Sequence, residues 1–163
     1  MDHCHLFVLC AIIALTQAGE PRKQETECPK GWTQLDMYCY VFQHDARSFS
    51  DAESVCNVLG GNLVSINSAK ENALVVELIR EAAGSVVDTW IGLHDAIEEN
   101  DFVWTDGETV NFKSFGVGQP DNNSDNENCV EIAADANELW NDDTCTEANP
   151  FVCIKAAEKT DCH

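Results

Sequence analysis

The sequence predicts an α+β fold. Two segments carry apolar residues at helical spacing behind capping signals. Short apolar runs bounded by turn residues follow them and read as strands. A long stretch from Asp106 to Asn128, rich in Gly, Asn and Asp, interrupts those strands and has little periodicity. A loop of that length inside a compact domain is usually functional or disordered.

A chain of 163 residues predicts one domain after processing. Residues 1–18 read as a secretory signal peptide. Leu6 to Leu15 is an apolar run too short to span a bilayer, and Thr16 and Ala18 put small residues at the minus-three and minus-one positions of a cleavage site. The run lacks a preceding Lys or Arg and has only His3 and His5. No later run is long enough for a membrane anchor, so the mature protein is expected to be secreted and extracellular. Residues 19–27 are polar and expected to be loose. Cys28 to Cys39, enclosing Trp32 and Tyr38, reads as a stapled hairpin. Ser50-Asp-Ala-Glu53 is a capping box ahead of Ala52, Val55, Cys56 and Leu59, and Gly60-Gly61 ends that helix. Leu63 to Ile66 is a short strand. Ser68-Ala-Lys-Glu71 opens a second helix with Ala73, Val76, Leu78, Ile79 and Ala83 on its apolar face, closed by Gly84. Thr89–Leu93, Phe102–Thr105, Cys129–Ala133, Glu138–Trp140 and Phe151–Lys155 are expected strands, and residues 156–163 a C-terminal tail.

The formal charge is −20, from 29 acids against nine bases. Nothing here neutralises phosphates, which disfavours nucleic acid and anionic lipid as partners. Carboxylates and amides concentrate from Asp121 to Asp143, which points to oxygen ligands for a hard cation. Of nine cysteines, Cys4 and Cys10 leave with the signal. The other seven contain no CxxC pair, which argues against a zinc ribbon. In an exported chain they should form disulfides, with one left over. The five histidines, His3, His5, His44, His94 and His163, lie in no nucleophile motif, so the chain is not expected to be an enzyme. A hydrolase's carboxylate pair could hide among so many acids. The amides interleaved with them fit metal coordination better.

Four motifs occur in order: Trp90-Ile-Gly-Leu93, Gln119-Pro-Asp121, Glu127-Asn-Cys129 and Trp140-Asn-Asp142. With the cysteines around them, they make the chain from Cys28 to Ile154 resemble the C-type lectin domain family. The resemblance is to its secreted single-domain type, similar to fish ladderlectins, venom lectins and type II antifreeze proteins. It implies a domain at 28–155 with two helices, short antiparallel strands and a long calcium-binding loop. It also implies the bridges Cys28–Cys39, Cys56–Cys153 and Cys129–Cys145. The second closes almost the whole domain, and a loop that long is worth about 4 kcal/mol on chain-entropy reasoning. Cys162 is then the odd cysteine and is expected to pair with a second copy of the chain, which would gain avidity. Trp90 and Trp140 are expected in the core, with Gly92 required by packing.

The same resemblance places calcium on Gln119, Asp121, Glu127, Asn141 and Asp142. All five offer side-chain oxygen, and calcium takes about six to eight such ligands. The remaining positions go to two neighbouring sugar hydroxyls, which also bond Gln119, Asp121, Glu127 and Asn141. A cis peptide before Pro120 belongs to that pattern. A second calcium in some relatives would fall on Asp95, Glu99, Asn122, Glu127 and Asn128, where two amides replace usual acids. Gln-Pro-Asp is the galactose-type order, and a mannose-type motif exchanges acid and amide. Galactose binders usually follow it with an aromatic residue for stacking, where Asn122 and Asn123 stand here. Asn122-Asn-Ser124 is also a glycosylation sequon. The expected function is a calcium-dependent, carbohydrate-binding lectin in innate defence. Two alternatives share the fold: a type II antifreeze protein and a protein-binding module that has lost sugar binding.

Overall fold

The structure is a computed structural model and describes residues 26–134 and 138–159. The expected signal segment and Cys162 lie outside the described residues. In chain order the strands are β1 (Thr26–Glu27), β2 (Thr33–Leu35), β3 (Tyr38–Arg47), β4 (Asn62–Leu63), β5 (Thr89–His94), β6 (Val103–Trp104), β7 (Cys129–Ile132), β8 (Trp140–Asp143), β9 (Asn149–Ala156) and β10 (Glu158–Lys159). Helices α1 (Phe49–Val58) and α2 (Ala69–Ala83) come between β3 and β5.

The main sheet runs β2-β3-β9-β5-β7-β8, with β4 on β9 and β6 on β5. It is not wholly antiparallel, because β5 meets β9 in parallel at Trp90 and Phe151. Nor are all its strands short. β3 has ten residues and pairs with β9 from Tyr38 to Arg47. The polar stretch 43–47 hides it in the sequence, since its outer half is exposed and shows no apolar alternation. Thr26–Glu27 pairs with Glu158–Lys159, so residues just outside 28–155 join the fold as a small ribbon. Disulfides join Cys28 to Cys39, Cys56 to Cys153 and Cys129 to Cys145.

Helix α1 begins one turn-half earlier than its sequence signal. Its N-cap is Ser48, whose hydroxyl accepts the Asp51 N–H, while Ser50 lies inside the helix. Glu53 closes no capping box. Its carboxylate takes the Leu63 backbone N–H and the Asn62 amide, both at 2.7 Å, and so fastens β4 to the helix. Helix α2 is capped by Ser68, and Glu71 reaches back to the Asn67 N–H at 2.6 Å. Gly84 ends it at φ 85°, a left-handed conformation that suits glycine. The buried face of α2 is Val75, Val76 and Ile79, flanked by Leu74 and Leu78. Ala73 and Ala83 are exposed instead. The rotation puts Asn72 on the inner side.

Trp90 and Trp140 are fully buried. Trp90 packs with Phe49, Leu63, Phe151 and two disulfides, and its indole N–H donates to the Arg47 carbonyl at 3.0 Å. Gly92 has no room for a side chain, since a Cβ would lie 2.8 Å from the Leu63 carbonyl oxygen. Strand β8 was expected to end at Trp140. It begins there and carries Asn141, Asp142 and Asp143. Trp140 is ringed by Trp104, Phe112 and Phe115 edge-on, and its indole N–H donates to Asn72 Oδ1 at 2.8 Å. Truncating Asn72 leaves that buried donor unsatisfied, a cost of about 1–3 kcal/mol. Urea unfolding of Asn72→Ala is expected to show a loss of that size. No loss would mean that the bond holds nothing.

Candidate metal centre

The long segment after Asp106 is tied to β8 by its backbone. Trp140 donates its N–H to Ser114 and accepts the Gly116 N–H, each at 2.9 Å. A turn follows, closed by the Gln119 N–H on the Gly116 carbonyl. The Gln119–Pro120 peptide is cis. Beyond it the backbone N–H groups of Asp121 and Asn122 donate to the two carboxylate oxygens of Asp142, at 3.0 and 2.7 Å. Asp142 is buried. Its charge is met by two amide N–H groups in place of solvent, a strong acceptor arrangement.

The segment then folds on itself. Glu127 accepts the Asn123 N–H at 2.8 Å, and the Glu127 N–H donates to Asn122 Oδ1 at 3.0 Å. These bonds bring carboxylate oxygens of Asp121, Glu127 and Asp142 within 4.8 Å of one another. Asp121 is exposed, Glu127 half-buried and Asp142 buried. Like charges at that spacing repel by about 3 kcal/mol per pair at an effective dielectric near 20. The Glu127 carboxyl is raised above its ordinary value. Burial contributes most, Asp142, Asp121 and Asp143 add to it, and the Asn123 N–H opposes them.

Gln119 adds an oxygen of another kind. Its Oε1 is buried and has no hydrogen-bond partner. This unpaired amide oxygen, two residues before Asp121 in the chain, and the three clustered carboxylates offer oxygen donors only, which fits a hard divalent cation such as calcium. Asn141 stands next to Asp142 on β8 and directly across from Glu131 on β7. Its Nδ2 donates to Glu131 Oε1 at 3.2 Å, which turns its carbonyl oxygen away from Glu131.

The residues of the expected second site are arranged differently. Asn122 uses both ends of its amide: Oδ1 on the Glu127 N–H, and Nδ2 on Glu99 Oε2 at 2.6 Å. Attachment of a glycan at that nitrogen competes with the Glu99 bond. Asp95 is buried, takes the Asn100 N–H on Oδ2, and receives no hydrogen bond on Oδ1. Its own N–H donates to the Asn128 carbonyl. Among the described residues, the close carboxylate group consists of Asp121, Glu127 and Asp142, and neither Asp95 nor Glu99 joins it.

Glu131 was missed in the sequence. It is buried and takes a second amide, from Asn149 Nδ2, on Oε2 at 2.8 Å. The only sequence signal is an acid in the apolar run Cys129-Val-Glu-Ile132. Burial, then Asp88, Asp143 and Glu127, push its carboxyl from the ordinary 4.5 up to about 8, against the pull of the Asn141 amide. Between those values the folded state holds a proton that the unfolded chain has lost, so stability falls as pH rises through the window. In chelator, the urea midpoint is expected to drop from pH 5 to pH 8.5, and to drop less in Glu131→Gln. Equal drops in the two proteins would remove Glu131 as the cause.

Known proteins carry the same framework. The family model for the lectin C-type domain matches residues 45–155. The galactose-specific lectin nattectin of Thalassophryne nattereri is 35% identical over 155 residues, spanning 95% of this chain and 97% of that protein. The solved structure of human lithostathine superposes with a TM-score of 0.74 at 33% identity, covering 82% of this chain and 100% of that one. A calcium-independent type II antifreeze protein superposes with a TM-score of 0.75 at 26% identity, covering 83% and 98%. The chain belongs to the C-type lectin domain family, a family of non-enzymatic carbohydrate-binding proteins.

Proposed function

We propose that this chain is a secreted, calcium-dependent lectin for galactose-type sugars, acting in glycan recognition in innate defence. The observation that carries the reading is the convergence of Asp121, Glu127 and Asp142 within 4.8 Å, with the unpaired Gln119 Oε1 two residues before Asp121 in the chain. Gln119, Asp121, Glu127, Asn141 and Asp142 would hold the ion. Bound calcium would supply open coordination positions to two adjacent sugar hydroxyls. Gln119 and Asn141 can each donate an N–H and accept at oxygen, whereas Asp121 and Glu127 only accept. The four therefore set the direction of every hydrogen bond to the sugar. Asp142, with both oxygens on backbone N–H groups, fixes the loop. Asn122 is tied to Glu99 and Glu127 and offers no flat apolar face, so galactose retention should be weak.

Secretion rests on the apolar leader and on three disulfides. Among the described residues no helix is long and apolar enough to cross a membrane. A covalent homodimer through Cys162 belongs to the proposal, because the three bridges use six of the seven cysteines after residue 18. Non-reducing electrophoresis should show a dimer that Cys162→Ser abolishes, and capture of Cys162 within its own chain would refute it.

Ligands that bind only the folded state raise its stability by mass action. The melting temperature is expected to be higher in millimolar calcium than in chelator, and the difference to shrink in Glu127→Gln. No calcium-dependent shift in the unmodified protein removes the metal from the proposal.

The protein should be held weakly by a galactose resin and released by chelator. Gln119→Glu with Asp121→Asn keeps one acid and one amide but reverses donor and acceptor around the hydroxyls. That double variant is expected to keep most of its calcium affinity and to move toward mannose. The likeness to a calcium-independent type II antifreeze protein names the competing outcome. If the chain ignores both sugars in calcium yet slows ice growth, ice replaces sugar as the ligand.

A further inference from the structure

We infer that Glu131 is a positioning residue: it takes one N–H of the Asn141 amide and so fixes the side to which the carbonyl oxygen of that amide turns. This rests on the reading of Asn141 as part of the metal and sugar site. Glu131 itself touches neither.

A carboxamide has nearly the same shape at both ends but opposite hydrogen-bonding character, and an Asn side chain can exchange the two by turning about its last torsion. In front of a cation the wrong end is repelled. Something must choose, and a carboxyl group whose two oxygens each already face an amide N–H can. Glu131 lies straight across the β7–β8 pair from Asn141, so both side chains share one face of the sheet. Its Oε1 takes Asn141 Nδ2 at 3.2 Å, and its Oε2 takes Asn149 Nδ2 at 2.8 Å. Turning either amide over would set a carbonyl oxygen against a carboxylate oxygen. One buried acid therefore fixes two amides on two neighbouring strands.

Its electrostatic setting makes a purely structural role a poor account. The charges acting on Glu131 are those of Asp88, Asp143 and Glu127, all negative. A glutamine of the same shape would avoid that repulsion. What a glutamine could not do is accept at both ends. With one donor end of its own, it would satisfy Asn141 in either orientation.

The test uses the full protein, freed of metal with chelator, exchanged into metal-free buffer and titrated with calcium by calorimetry. Removing such an outer partner of a ligand commonly costs about tenfold or more in metal affinity. Glu131→Gln is expected to lose about that much. Asp143→Asn removes a nearby charge without touching the Asn141 amide, and is expected to lose less than about threefold on the weaker screened interaction alone. Equal losses in the two variants would show that only charge matters and overturn the inference. The second readout needs no metal. In the nitrogen-15 spectrum in chelator, the Asn141 side-chain amide pair, identified by its loss in Asn141→Ser, should shift and exchange faster in Glu131→Gln. An unchanged pair overturns the positioning role. If the unmodified protein binds no calcium, the metal reading fails and this amide pair alone decides the role of Glu131.

Discussion

The indole N–H of Trp140 reaches Asn72 on α2 at 2.8 Å, while its backbone N–H and C=O bond Ser114 and Gly116 on the long loop. Its ring is met edge-on by Trp104, Phe112 and Phe115, with centroids 5.7–5.9 Å apart. One buried side chain thus joins a helix, a strand and a segment with almost no regular structure. Aromatic contacts of this kind add to burial by on the order of 1 kcal/mol each. The arrangement explains how a loop rich in Gly, Asn and Asp can hold a defined shape. Its polar half is free to carry ligands because its aromatic half, Phe112 and Phe115, is seated against Trp140. The strand that begins at Trp140 then delivers Asn141 and Asp142 at a fixed distance from that anchor.

Successive strand residues point to opposite faces, and β8 uses both. Asp142 turns toward the loop and accepts the backbone N–H groups of Asp121 and Asn122. Asn141 turns toward the sheet and is met by Glu131. Each face therefore has one buried acid, and both acids are held by N–H groups and not by cations. The chain carries few bases to spare. Its ion pairs, such as Lys70 with Asp36 and Arg80 with Glu138, lie on partly or fully exposed surface, where such pairs contribute little. Amide N–H groups are the remaining way to keep a buried carboxylate in place.

What the sequence made legible follows from the range of the interactions involved. Ser68 and Gly84 bound α2 as expected, because a cap is a contact between residues at most four apart. The α1 cap was misplaced by two residues, since Ser48 and Ser50 are equally suited by type and only the entry of β3 into the helix selects between them. Glu53 looked like a cap partner. The fold instead uses it for β4, ten residues away. The strand Tyr38–Arg47 was invisible because its partner β9 lies more than a hundred residues later and its own outer half is polar. For the candidate site, motif order named Gln119, Asp121, Glu127, Asn141 and Asp142, and the structure brings the carboxylates of Asp121, Glu127 and Asp142 together. Glu131 was not, because its meaning comes from the β7–β8 register and from Asn149 on a third strand. The structure also shows what Asn122 does with its side chain, which the sequence read as a missing aromatic, a sequon or a ligand of a second calcium.

The framework and the cluster answer to different forces. Trp90, Trp140 and the bridges Cys56–Cys153 and Cys129–Cys145 are apolar or covalent, and none of them involves a charge. The carboxylates of Asp121, Glu127 and Asp142 repel one another, and the N–H groups of Asp121, Asn122 and Asn123 offset part of that repulsion from the loop itself. The loop that carries those N–H groups is bonded to Trp140 and closed by the Gly116–Gln119 turn. The scaffold can therefore keep its shape while the cluster changes, and likeness of fold to a calcium-independent antifreeze protein is compatible with quite different ligands. Function on this scaffold is decided by which oxygens the loop leaves unpaired. In this chain the buried Oε1 of Gln119 is such an oxygen, with no protein donor to meet it.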